Sequence, residues 1–123
     1  MLLHSPALNH ATPSSEAVET LEEAVRRLVQ HLAPERIYLF GSLSRAEATP
    51  DSDIDLLVIV SESSLPRHRR EALAYQSLWG MTAPIDVIVM TREEFQRGQQ
   101  VSTSLPSTVI REGILLYERS KNG

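Results

Sequence analysis

Apolar residues recur at Val18, Leu21, Val25, Leu28, Val29 and Leu32, at intervals that stack on one side of a helix. The spacing predicts an amphipathic helix that opens at Ser14 or Ser15 and closes before Pro34. The period then changes. Arg36 to Phe40 is a short β-favouring run that stops at Gly41-Ser42, and Ile54 to Val60 is a longer, almost wholly apolar one. Between them, Leu43 to Ala48 suits a helical turn, followed by the loop Thr49-Pro50-Asp51-Ser52. Leu65 to Trp79 reads as a second long helix, with Pro66 near its start and Leu73, Ala74 and Leu78 facing inward. Pro84 to Met90 is a third strand. Thr91 with Glu94 forms a capping box for a helix anchored by Phe95. A last helical segment precedes Gly113, and Ile114 to Tyr117 closes the chain as a short strand. Met1 to Pro13 shows no periodicity and reads as a flexible tail without chemistry.

Helices and strands alternate without internal repeats, so the class is α/β or α+β, with strand order left open. The 123 residues suit one domain, here 14–123, with a single modest core and no room for a second substrate-binding domain. No apolar run approaches the roughly 20 residues of a membrane span, and the N-terminus lacks the pattern of a secretory signal. The chain has no cysteine, which excludes disulfides and thiol-ligated metal and suits the cytoplasm. A net charge of −4 argues against broad binding to a nucleic-acid backbone. A single nucleotide is compatible with it, because a divalent cation bridges phosphates to carboxylates.

The candidate chemistry lies between Phe40 and Val60. Asp53 and Asp55 stand two apart at the mouth of an apolar strand, so alternation puts both carboxylates on one face, roughly 7 Å apart at Cα, with Ile54 pointing into the opposite layer. Two carboxylates so placed repel each other and are costly to desolvate. A cation that takes oxygen ligands, by default magnesium, resolves this. Gly41-Ser42 follows a strand directly, where a residue without a Cβ lets backbone amides approach a ligand and a hydroxyl donates to a phosphate oxygen. Asp86, in the third apolar run, is an isolated acid that needs a partner or a ligand. A strand-ending Gly-Ser, or an Asp-x-Asp at a strand start, is common and uninformative alone. Their order, with ten residues between Ser42 and Asp53 and a third acid downstream, is what points to a site.

Phe40-Gly41-Ser42, Arg45 and Ser52-Asp53-Ile54-Asp55-Leu56-Leu57-Val58 resemble the signature of the polymerase-β-like nucleotidyltransferases, in particular the minimal nucleotidyltransferase (MNT) group. Ile110 to Tyr117 is similar to that group's usual ending. The resemblance implies a small mixed sheet flanked by helices. It also implies that Gly41 and Ser42 hold the phosphates of ATP or another nucleoside triphosphate. Asp53, Asp55 and Asp86 would bind two Mg²⁺ ions about 3.5–4 Å apart, and Asp86 would help deprotonate the attacking hydroxyl. The expected reaction is in-line attack on the α-phosphorus with release of pyrophosphate. Where the group commonly has Arg-Gly after its Gly-Ser, this chain has Arg45-Ala46, which puts the turn's geometry in question.

Arg45 either contacts phosphate or pairs with Glu47 or Asp51 at the surface. Arg67-His68-Arg69-Arg70 reads as a solvated helix face that could meet an acidic partner or RNA. The four histidines show no metal-ligand spacing. Tyr75 and Trp79 read as core aromatics rather than base-stacking ones. The favoured function is transfer of AMP, or another nucleotide, to a hydroxyl of a protein acceptor that comes from outside this short chain. By resemblance, that acceptor is a HEPN-type RNase toxin, with the chain as its antitoxin and some homo- or hetero-oligomer as the assembly. Two alternatives stand beside it: a non-catalytic module that neutralises a partner by contact, and a small-molecule transferase of the aminoglycoside type.

Overall fold

The computed structural model describes residues 15–41 and 53–120. The helix α1 (Ser15–Leu32) is followed by the strands β1 (Arg36–Phe40) and β2 (Ile54–Val60), then α2 (Arg67–Ser77), β3 (Ile85–Thr91), α3 (Arg92–Gly98), α4 (Leu105–Glu112) and β4 (Ile114–Glu118). The four strands form one mixed sheet in the order β3-β2-β1-β4. β1 is antiparallel to both β2 and β4, and β2 is parallel to β3. The parallel pair requires a crossover, which α2 supplies.

The sheet separates two cores because alternate residues of each strand face opposite sides. On one side, Ile54, Leu56, Val58 and Val60 of β2 meet Leu21, Val25 and Leu28 of α1, Ala74 of α2 and Leu78 at the C-cap of α2. On the other, Leu57 and Ile59 join Tyr38 of β1, Phe95 of α3 and Val109 of α4. The near-unbroken apolar run of β2 is therefore the consequence of burial on both faces. Tyr38 and Phe95 stack with ring centroids 5.9 Å apart, within the usual range for aromatic pairs. Among the described residues no helix is long and apolar enough to cross a membrane.

The capping box expected at Thr91 is present: Glu94 N–H donates to Thr91 Oγ1 (3.2 Å), and Thr91 N–H donates to Glu94 Oε1 (2.9 Å). The basic run of α2 departs from the expected solvated face at one residue. Arg70 is buried; its Nη1 and Nη2 donate to Glu94 Oε1 and Oε2 at 2.8 and 3.0 Å. Its Nη1 and Nε also donate to the carbonyls of Val89 and Leu65, at 3.0 and 3.1 Å. A guanidinium reaches these four acceptors because it carries five donors in a planar fork. The inward face of α2 is also narrower than expected. Ala74 and Leu78 are buried, but Leu73 is 45% exposed and the predicted core aromatics Tyr75 and Trp79 are 44% and 85% exposed. Tyr75 turns its hydroxyl to the sheet edge instead, where it accepts from Val87 N–H at 3.0 Å.

At the opposite end of β1, Glu35 accepts from Arg92 and Ser61 and lies 3.5 Å from Arg119. Hydrogen bonding from Arg92 holds its carboxyl at about 2, and Arg70 does the same for Glu94, against an ordinary value of 4.5. Folded-state values below the unfolded ones stabilise the fold above about pH 4.5, and that contribution disappears as pH falls toward 2. Denaturant titrations between pH 7 and 2 should show the loss, with a shallower slope in Glu35→Gln and Glu94→Gln. At pH 7, Glu94→Gln should destabilise by about 1–3 kcal/mol, because buried Arg70 loses its charged acceptor.

Candidate functional site

Gly41, Asp53, Asp55 and Asp86 gather at one end of the sheet because the strand directions meet there. β1 runs toward this end and stops before Gly41, while β2 and β3 both start from it. The register places Asp55 of β2 between Phe40 of β1 and Asp86 of β3. Paired residues of parallel strands point to the same face. Asp55 and Asp86 thus share the side carrying α3 and α4, whereas Ile54 belongs to the core under α1 and α2, as the alternation predicts. Asp53 lies two residues before Asp55 and immediately precedes β2. Ile54 N–H donates to Pro84 O (2.9 Å), which fixes the mouth of the parallel pair directly beside the acids.

Asp55 is half-buried, while Asp53 and Asp86 are exposed. Burial pushes the Asp55 carboxyl above its ordinary value, and the negative charges of Asp86 and then Asp53 push it the same way. Among the described residues no three or more His, Cys, Asp or Glu side chains form a ready-made metal cluster. The aspartates act on one another electrostatically without closing into a cage. As a donor set they offer oxygen only, which is the chemistry of hard divalent cations rather than of soft metals.

Gly41 is dictated by two independent conditions. Its φ of +82° lies in the left-handed region that a side chain disfavours, and a Cβ there would overlap Asp55 Oδ2. The backbone of the strand-ending turn is therefore pressed against the carboxylate two strands' pairing has placed beside it. Ser42 and Arg45, the other expected phosphate contacts, lie outside the described residues, as does the Ala46 departure. Sequence reasoning missed the three-residue frame that fixes β3 and with it Asp86. Tyr75 and Glu71 accept from Val87 and Val89 N–H, and Arg70 spans from α2 to α3. Of the residues this frame ties together, only the Thr91-Glu94 capping box that Arg70 joins leaves a local signal.

Replacing Gly41 by Ala should displace the Asp55 carboxylate and destabilise the fold by about 1–3 kcal/mol, from the combined left-handed strain and overlap. Asp55→Asn should do the opposite in chelator at neutral pH, raising the thermal midpoint by relieving repulsion and the burial of charge. Both are read by thermal unfolding followed by circular dichroism.

Comparison with known proteins supplies the context for this geometry. The sequence model of the nucleotidyltransferase domain family matches residues 18–116. No curated protein matches the chain. Among solved structures, the fold is similar to that of a candidate nucleotidyltransferase from Sulfolobus solfataricus, at a TM-score of 0.65 and 18% identity, covering 98% of this chain and 96% of that one. It is also similar to a toxin–antitoxin structure with AMP-PNP, at a TM-score of 0.57 and 20% identity over 82% of this chain and 75% of that one. A variant of the toxin–antitoxin complex MntA-HpeT gives 0.55 and 23% over 83% and 75%. The family match spans both the aspartate strands and the Gly41 turn. The chain belongs to the nucleotidyltransferase domain family, on a mixed α/β core.

Proposed function

We propose that this protein transfers AMP, or another nucleoside monophosphate, from a nucleoside triphosphate to a hydroxyl of a protein acceptor, and that it is the antitoxin of a toxin–antitoxin pair. The observation that carries the proposal is the in-register placement of Asp55 opposite Asp86 at the strand mouths, with the Gly41 turn held against Asp55. Family membership supplies the reaction class. The likeness to toxin–antitoxin structures, one of them with AMP-PNP, supports the nucleotide and the kind of partner.

In this reading the Gly41-Ser42 turn and Arg45 receive the triphosphate, and Asp53, Asp55 and Asp86 hold Mg²⁺. The cation, when bound, would neutralise the phosphates and polarise the α-phosphorus. The residues of the chain then have distinct tasks. Asp86, exposed on the edge strand, is free to meet the acceptor hydroxyl and take its proton as the oxygen attacks the α-phosphorus. The α–β phosphoanhydride bond breaks, pyrophosphate leaves, and the monophosphate stays on the acceptor. Half-buried Asp55, wedged between Gly41 and Asp86, is a fixed point for the triphosphate end. In this reading a partner protein brings the acceptor hydroxyl to the strand mouths, and a HEPN-type RNase toxin is the partner proposed.

Incubation with α-labelled ATP, Mg²⁺ and the product of the adjacent gene tests the proposal. Label should appear on the partner and fall about 100-fold or more in Asp53→Ala and Asp55→Ala, the scale expected when transition-state charge stabilisation is removed. A wild-type protein that blocks the partner without labelling it would instead be a contact inhibitor.

A further inference from the structure

Asp86 is carried by a strand with a neighbour on one side only. β3 ends the sheet, with β2 beside it and no further strand among the described residues. Ile54 N–H donates to Pro84 O. In a parallel ladder that bond assigns the even-numbered residues of β3 to the β2 side and the odd-numbered ones to the free side. Asp86 is therefore tied to β2 through its own N–H and C=O, while the N–H of Val87 points outward. That N–H belongs to the peptide unit that follows Asp86. Because each residue has only two soft dihedrals, whatever holds this unit fixes ψ of Asp86 and with it the direction in which the side chain leaves the strand.

Tyr75 is what holds it. Its hydroxyl oxygen accepts from Val87 N–H at 3.0 Å. The other outward amides of β3 have side-chain partners farther along: Val89 N–H donates to Glu71 at 3.4 Å and Thr91 N–H to Glu94 at 2.9 Å. α2 runs antiparallel to β3, so Arg70 and Glu71 meet Val89 and the next turn brings Tyr75 to Val87, beside the strand mouth. The ring of Tyr75 contributes little to the core, since it is 44% exposed whereas Ala74 beside it is fully buried. Its specific contribution to the edge is thus the single bond its oxygen accepts. At a half-exposed edge water can replace a lost acceptor, so removing that oxygen costs little stability. Water does not replace the fixed orientation of the peptide plane.

We propose that Tyr75 is a positioning residue for nucleotidyl transfer: its hydroxyl holds the peptide plane after Asp86 and so aims the Asp86 carboxylate at the acceptor. The assignment rests on the transfer reading above, in which Asp86 takes the proton of the acceptor hydroxyl. Tyr75 acts through Val87 and Asp86 and needs no contact with nucleotide or acceptor. A misplacement of about 1 Å at a reacting group can cost on the order of 100-fold in rate, so a bond that costs little in stability can govern turnover.

The test compares Tyr75→Phe with Glu94→Gln in the full chain, by transfer of label from α-labelled ATP to the product of the adjacent gene, with thermal unfolding followed by circular dichroism. Tyr75→Phe deletes one oxygen and should lower kcat about tenfold or more, with KM for ATP within about threefold of wild type and the thermal midpoint nearly unchanged. Exchange of the Val87 amide, measured by NMR without substrate, should become about tenfold faster or more. Glu94→Gln should behave conversely. It lowers the midpoint, yet at temperatures where it is folded it should keep kcat within about threefold, because Thr91 stands at the far end of β3 from Asp86. A role in stability alone would rank the two variants the other way. Undiminished kcat in Tyr75→Phe, a loss matched by Glu94→Gln, or an unchanged Val87 exchange rate overturns the positioning role while wild-type labelling keeps the transfer reading intact. A wild-type chain that labels nothing overturns the transfer reading, and the positioning role falls with it.

Discussion

Two carboxylates held opposite each other on adjacent parallel strands set the terms for the rest of this structure. Asp55 has no easy way to escape Asp86. It sits one residue into β2, and from Leu56 to Val60 every side chain of that strand is buried. A slip of one residue would turn Leu57 and Ile59 out of one core and Leu56 and Val58 out of the other. The register is therefore fixed by two hydrophobic cores at once, and the repulsion is carried rather than relaxed. Gly41 flanks the same carboxylate so closely that a Cβ there would overlap Asp55 Oδ2. Stability concentrated along β2 holds instability at its mouth, a division common where sites must be preorganised for a charged ligand.

Asp86 depends on a different device, because β3 is an edge strand. An edge presents alternate unpaired N–H and C=O groups, and an unpaired edge is mobile and prone to recruit other strands. Here Val87, Val89 and Thr91 donate outward to Tyr75, Glu71 and Glu94, and the Val89 carbonyl accepts from Arg70. Side chains of α2 and α3 thus act as a surrogate fifth strand. The buried Arg70 is the keystone, since it links the edge, the capping box of α3 and the loop before α2 in one network. A carboxylate proposed to meet an acceptor from outside is thereby mounted on an edge that is exposed in position yet fixed in geometry.

Much of this was legible in the sequence because the signals were local. The period of α1, the strands Arg36 to Phe40 and Ile54 to Val60, and the Thr91-Glu94 box are each defined within a few residues, and the structure reproduces them. The spacing of Asp53, Ile54 and Asp55 likewise determines which layer each faces. The failures share a cause of the opposite kind. Leu73, Tyr75 and Trp79 look like core on an amphipathic helix, but α2 packs only a narrow stripe through Ala74 and Leu78, since it covers the border of the sheet rather than its centre. Arg70 looks like one more surface charge in a basic run until Glu94, 24 residues away, is brought beside it. Pairing between distant elements leaves no periodic trace. The register of Asp55 with Asp86 is of the same type: the sequence offers two acids in two strands, and only the parallel pairing puts them opposite.

Among the described residues, the exposure of the aspartates follows from helix length. α3 is capped by Thr91, at the end of β3 farthest from Asp86, and returns along the sheet for only seven residues. At 1.5 Å per helical residue it covers about 10 Å, whereas seven strand residues span about 23 Å. Its anchor Phe95 therefore reaches Tyr38, Leu57 and Ile59, and α3 itself stops short of the strand mouths. α4 turns aside to pack Val109 on the same cluster and hands the chain to β4 on the far edge. A longer α3 would bury Asp55 and Asp86 under apolar surface, where their charges would be untenable without permanent partners. The short helix keeps them at the boundary between core and solvent, and that is the position from which a carboxylate can be both fixed by the fold and reached by a large acceptor.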